Sequence, residues 1–286
     1  MTSSTRIELF IALQRLLPKT WLSRCIGRVA ESRRVWLKNT LIRAAVRHFN
    51  INFDEAASTD LADYEHFNAF FTRALREGVR PIDSSPEAIV SPADGVISQF
   101  GDIEQGLLIQ AKGVEYSAEK LLGSPQSAAR YQDGEFATIY LSPRDYHRVH
   151  MPCDGRLVTS RYIPGELFSV NEKTAIGLPE LFVRNERLVC EFESDRGPFT
   201  LVLVGAMLVA GIETVWSGYE QPGPGIVRER DHSDQALEFK RGEEICRFKF
   251  GSTVIALFPD DRLDWLSIVE TGCSVLMGER IASEEA

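Results

Sequence analysis

Near residue 88 the apolar residues of this chain stop recurring every three or four positions and begin to alternate. A side chain returns to the same face every 3.6 residues in a helix and every 2 in a strand, so the change of period marks a change of architecture. Before it, residues 6–17 place Leu9, Phe10, Leu13, Leu16 and Leu17 on one helical face. After Pro18 the pattern repeats through Trp21, Leu22, Cys25, Ile26 and Val29, then again through Trp36, Leu37, Leu41, Ala45 and Phe49. Residues 60–78 read as a further helix with Phe67, Phe70, Phe71 and Leu75 as its stripe. Beyond residue 88, segments such as EFATIYLS, GRLVTSRYI, RLVCEFES and CRFKF are strand-like and separated by turn residues, and 220–236 reads as a polar loop. The expectation is an α+β protein in which N-terminal amphipathic helices, residues 1–50, precede a single β-rich domain, residues 51–286.

Charge divides the chain in the same place. Residues 1–50 carry ten Lys or Arg against Glu8 and Glu31, a net of +8; with −9 for the whole chain, the remaining 236 residues hold −17. Amphipathic helices with Arg on the polar face and Trp at its border suit an anionic membrane surface. No recognition-helix pattern accompanies them, so nucleic acid is not expected as a partner. No run of 18 apolar residues is present to span a bilayer, and Glu8, Gln14 and Arg15 break any signal-peptide pattern. Cys25, Cys153, Cys190, Cys246 and Cys273 are scattered without a CxxC pair, which reads as reduced thiols in the cytoplasm.

The stretch CRFKFGSTVIALF, residues 246–258, sets three small residues between two good strand halves. A Ser252 hydroxyl can attack the carbonyl of Gly251 through a five-membered ring, and glycine removes the Cβ that would crowd the attack. The resulting ester can eliminate, which cuts the chain and turns Ser252 into a pyruvoyl group, an electrophilic ketone. A Gly-Ser-Thr by itself is also a common bulge. In LSPRDYHRVHMPCDG, His147 and His150 could be metal ligands if helical, but flanking prolines suggest turn then strand, where they face opposite ways; with no third ligand nearby, no metal is expected. In SPADGVIS, Asp94 before Gly95 reads by itself as a turn residue. Asp94, a histidine and Ser252 together supply the parts of a nucleophile-activating relay. A serine hydrolase, a membrane-bound β scaffold and a pyruvoyl decarboxylase of a soluble amino acid remain open on these residues.

As a set, FNAFFTRALREGVRPID, SPADGVIS, LSPRDYHRVHMPCDG, PGELFSVN, LFVRNERLVCEF, VGAMLVAGIETVW and FKFGSTVIALF, spanning residues 67–258, resemble the blocks of the bacterial-type phosphatidylserine decarboxylases in their order. Phe250 stands where that family usually has Leu. The resemblance implies cleavage between Gly251 and Ser252, giving a large chain 1–251 and a small chain 252–286. It implies a relay of Asp94, His150 and Ser252 for that cleavage, and a covalent pyruvoyl cofactor at Ser252. It further implies a Schiff base to phosphatidylserine, His147 as acid/base in its decarboxylation to phosphatidylethanolamine, and a peripheral location on the cytoplasmic face of the cell membrane. A homodimer is compatible with it.

Overall fold

The computed structural model describes residues 3–16, 19–206, 211–220, 225–249, 252–259 and 263–284. Phe250 and Gly251, on which part of the cleavage expectation falls, lie outside the described residues.

Three helices open the chain: α1 (Ser3–Leu16), α2 (Lys19–Ala30) and α3 (Val35–Phe49), the last closed by Asn50 in the left-handed conformation. The expected helix over 60–78 is not one element. A 3-10 turn at Leu61–Asp63 is followed by a five-residue helix, α4 (Phe67–Phe71). Tertiary burial decides this. Phe67, Phe70 and Phe71 are all buried, and with Ile42, Ala45, Ile51 and Tyr64 they form one aromatic-rich core. After Thr72, whose hydroxyl donates to the Asn68 carbonyl, the chain is extended and bridges Leu75 to Ala56. Four further short helices are α5 (Ala118–Leu122), α6 (Pro125–Ala128), α7 (Glu172–Gly177) and α8 (Leu181–Arg184).

The strands, in chain order, are β1 (Ala88–Val90), β2 (Gly95–Asp102), β3 (Leu107–Ala111), β4 (Val114–Ser117), β5 (Glu135–Leu141), β6 (Arg148–His150), β7 (Gly155–Ile163), β8 (Arg187–Ser194), β9 (Gly197–Val204), β10 (Ile212–Thr214), β11 (Gly218–Glu220), β12 (Arg228–Asp231), β13 (Glu238–Phe239), β14 (Glu244–Phe248), β15 (Ser252–Phe258), β16 (Leu263–Trp265), β17 (Ser274–Val275) and β18 (Arg280–Glu284). Helices in front of a β-rich body make the α+β arrangement the sequence indicated. One difference is β12, which lies inside the expected polar loop and pairs with β7.

A large antiparallel sheet runs β12-β7-β8-β9-β15-β5-β2-β17, with β13 also on β7. Alternation along β15 divides the core: Val254, Ala256 and Phe258 belong to the cluster on one face, Ile255 and Leu257 to the cluster on the other. A smaller sheet, β11-β10-β14-β6, contributes Val149, Ile212, Ile245 and Phe248 to the first of these clusters.

The two halves of CRFKFGSTVIALF are therefore not one interrupted strand. β14 belongs to the small sheet and β15 to the large one. β5 and β6 make the same change of sheet beside them. Ser252 pairs with Leu141 in the large sheet, and the Phe248 amide donates to the His147 carbonyl (2.9 Å) where the small sheet begins. A two-stranded ribbon thus turns a corner between sheets, and corners of this kind need a break in the strand. Ser252 and Thr253 sit where β15 begins, at the end of that change of sheet.

Candidate active site

Ser252 is the first residue of β15 and is completely buried. By alternation it shares a face with Val254 and Ala256, toward the small sheet. Among the described residues its Oγ has no hydrogen-bond partner. A buried hydroxyl left unpaired costs free energy.

His147 and His150 lie on the other limb of the corner. His147 is fully buried, with its ring stacked on Phe71 of α4 at 4.2 Å between centroids. Among the described residues neither ring nitrogen has a partner of normal geometry. Burial, helped by the nearby Arg73 cation and opposed by the Ser142 backbone, pushes its pKa down to about 3. In this dry setting the imidazole is held neutral.

His150, in β6, is buried differently. Its Nδ1 lies 2.8 Å from the Gly242 carbonyl and its Nε2 3.1 Å from the Tyr146 hydroxyl. A carbonyl can only accept, so Nδ1 carries the proton and Nε2 is the basic nitrogen, accepting from Tyr146. Tyr146 keeps its proton because burial pushes its pKa up to about 12. Burial lowers the His150 pKa, while the Gly242 bond and the charges of Glu244 and Asp94 oppose that. Gly242 adopts φ +81°, and a Cβ there would meet Ile82 Cδ1 at 2.0 Å. Only glycine offers its carbonyl from this position without strain.

Asp94 ends the SPAD turn between β1 and β2. Its carboxylate receives Arg80 Nε at 2.9 and 3.1 Å and Arg80 Nη2 at 2.6 Å, and the Met277 amide at 2.8 Å. Arg80 Nη2 also reaches Glu55, at 2.8 Å. The pair is buried on both sides, which makes breaking it expensive. Next to it, Gly95 is required by a close approach, since a Cβ would sit 2.4 Å from the Tyr140 carbonyl oxygen.

The structure brings Asp94 and the histidine segment together through the backbone, His150 N–H donating to the Pro92 carbonyl at 2.8 Å. The Asp94 carboxylate makes no direct hydrogen bond to His150. It acts on the imidazole as a nearby charge. Tyr146, Arg80, Phe71, Arg73 and the Gly242 carbonyl were not singled out for roles in the sequence. Tyr146 is adjacent to His147, and Arg80 lies in the GVRPID block, but Gly242 is 92 positions from its partner. Among the described residues no group of His, Cys, Asp or Glu is placed to hold a metal ion.

A family model described as phosphatidylserine decarboxylase matches residues 67–283, and a second, described as PSD, matches residues 9–50. The chain is 50% identical over 282 residues to the phosphatidylserine decarboxylase proenzyme of Ectopseudomonas mendocina, covering 97% of this chain and 99% of that one. It is 52% identical over 279 residues to the protein of that name from Pseudomonas entomophila (96% and 97% covered), and 51% identical over 279 to the one from Azotobacter vinelandii (96% and 97%). A β-rich body with an acid, two histidines and a serine in its core is the framework of an enzyme. The chain belongs to the phosphatidylserine decarboxylase family.

Proposed function

We propose that this chain cuts itself between Gly251 and Ser252 and then converts phosphatidylserine to phosphatidylethanolamine and CO2. The observation that carries the first half is the Ser252 hydroxyl, buried and unpartnered at the corner between sheets. The names of the relatives, phosphatidylserine decarboxylase proenzyme, support both halves. The residues present fit a pyruvoyl group made from Ser252: the position is buried and flanked by Leu141 and Val254, and among the described residues nothing hydrogen-bonds its side-chain oxygen. Such a group supplies a ketone that condenses with the substrate amine and draws electrons from the adjacent carbon.

The protein's own residues divide the remaining work. His150 offers Nε2 as the base for Ser252, once the Tyr146 hydroxyl has turned away from it, and keeps its orientation through Nδ1–H on the Gly242 carbonyl. Asp94, fixed by Arg80, favours the imidazolium through its charge. His147 is neutral until the anionic lipid head enters. That negative charge raises its pKa, so the ring takes up a proton from solvent as the substrate binds and then gives it to the substrate carbon after CO2 has left.

The helices supply the surface on which a lipid enzyme works. α1 buries Ile11 and Gln14, Gln14 bonding Thr174 and Ser169, while Leu9 (52%) and Leu13 (54%) stay exposed. Trp36 on α3 is 67% exposed. Apolar side chains facing out among Arg28, Arg33, Arg34, Arg43 and Arg47 support docking on an anionic bilayer, on the cytoplasmic face. No described helix is long and apolar enough to cross the membrane.

The test pairs a denaturing gel with CO2 release from phosphatidylserine. His150→Ala and Asp94→Ala stay as one chain; His147→Ala cleaves but releases no CO2. Cleaved His150→Ala beside uncleaved His147→Ala reverses the two roles, and full activity in both removes the histidines from the mechanism.

A further inference from the structure

Arg73 follows α4 and is 4% exposed, yet among the described residues its Nε and Nη1 have no hydrogen-bond partner. The guanidinium lies over the Phe70 ring, 5.3 Å from its centroid. The carboxylates in its neighbourhood, Asp94 and Glu55, are both taken by Arg80. A cation stripped of water and left without an anion is among the costliest arrangements a fold can keep. Its position is that of the site. α4 is held against the histidine segment by Phe71 stacked on His147 and by Arg148 Nε donating to the Thr72 carbonyl at 2.9 Å. Arg73 is close enough to His147, Asp94 and Tyr146 for their charges to be felt mutually.

We propose that the Arg73 guanidinium binds the phosphodiester of the lipid head group, a subsite that rests on the decarboxylase reading above. The substrate carries two anionic groups, and the chemistry chooses between them. The carboxylate loses its charge as CO2 departs, so an arginine on it would hold the ground state more tightly than the transition state and slow the step. The phosphodiester keeps its charge throughout. An arginine there binds both states equally and positions the reacting end without opposing it. Arginine also suits phosphate oxygens through its planar set of donors.

Arg73→Gln and Arg73→Lys test this with soluble dihexanoyl-phosphatidylserine, rates being expressed per cleaved chain. The expected result for Arg73→Gln is a KM raised roughly 10- to 100-fold with kcat nearly unchanged, the range expected for loss of a hydrogen bond to a charged group. Arg73→Lys, which keeps the charge and loses the fork, falls between. Binding is read separately, by inhibition or calorimetry, with two probes. Dihexanoyl-phosphatidylethanolamine has the phosphodiester and no carboxylate; O-hexyl-serine has the carboxylate and no phosphate. Arg73→Gln is expected to weaken the first and leave the second. Weakening of O-hexyl-serine alone would assign Arg73 to the carboxylate and overturn the proposal. Unchanged binding of both, with only a lower melting temperature, would make Arg73 structural. An unmutated protein that binds the phospholipid probe through Arg73 but releases no CO2 would instead contradict the functional reading and spare the subsite.

Discussion

His147 makes this protein sensitive to acid in a way that can be isolated. In the folded state its pKa is about 3, against an ordinary value of 6.5. The sign follows from where protons bind. Between those two values the unfolded chain takes up a proton on this imidazole and the folded chain does not. Stability is complete above about pH 6.5 and falls as pH drops toward 3. Each pKa unit is worth about 1.4 kcal/mol, so lowering the pH from 7.5 to 5 removes about 2 kcal/mol through His147. The side chain is fully buried, so no discount for solvent applies. The perturbation is His147→Phe, which retains the stack on Phe71, in a Ser252→Ala background that keeps the chain whole and the equilibrium well defined. Urea unfolding at the two pH values gives four free energies. Only the double difference is used, so any effect of the substitution at neutral pH cancels. The expected result is a parent that loses about 2 kcal/mol more than the His147→Phe protein. Parallel losses in the two proteins would mean that the imidazole is solvated or paired, and would refute the dry-site reasoning.

Other outcomes follow from the same geometry. Asp94→Asn leaves buried Arg80 half-paired, and urea unfolding is expected to show a loss of about 3–5 kcal/mol, apart from any effect on cleavage. Gly95→Ala drives a Cβ to 2.4 Å from the Tyr140 carbonyl oxygen, and the backbone shift required is expected to cost about 1–3 kcal/mol or more, read as a lowered melting temperature. Leu9→Asp, Leu13→Asp and Trp36→Asp together should cut cosedimentation with anionic vesicles while leaving the melting temperature unchanged, because all three are exposed; vesicle binding that survives the triple change would remove these helices as the anchor.

The parts of this fold that were legible in the sequence are those where local pattern and final environment agree. β7 and β8 occupy GRLVTSRYI and RLVCEFES to the residue, because each alternates or runs apolar between clear turn signals. The failures have a common physical origin. Residues 60–78 carry a helical stripe, but Phe67, Phe70 and Phe71 are buried on several sides at once and the chain leaves the helix at Thr72 to pair with Ala56. In α1, by contrast, the expected apolar face carries the exposed Leu9 and Leu13, and what the pattern did not mark is that Ile11 and Gln14 face the body. Periodicity identifies a face, not what covers it. The change of sheet between β14 and β15 is likewise invisible to a local window, since it depends on β5 and β6 turning the same corner about 110 residues earlier, the separation set by the Ser252–Leu141 pairing. At the site, residue types were readable and partners were not. Asp94 reads by itself as a turn residue and joins His150 only through the resemblance; its carboxylate is hydrogen-bonded by Arg80, and His150 finds its orienting carbonyl at Gly242.

The central claim is that Ser252 is a chemical group in waiting rather than a strand residue. Intact-mass measurement of the purified, active protein under denaturing conditions tests it most directly. The account predicts two polypeptides, residues 1–251 and 252–286, the smaller blocked at its N-terminus, reactive toward hydrazine and lighter than a chain beginning with serine by the loss of ammonia. Ser252→Ala is predicted to give one full-length species. A single full-length chain in protein that releases CO2 from phosphatidylserine would contradict the account.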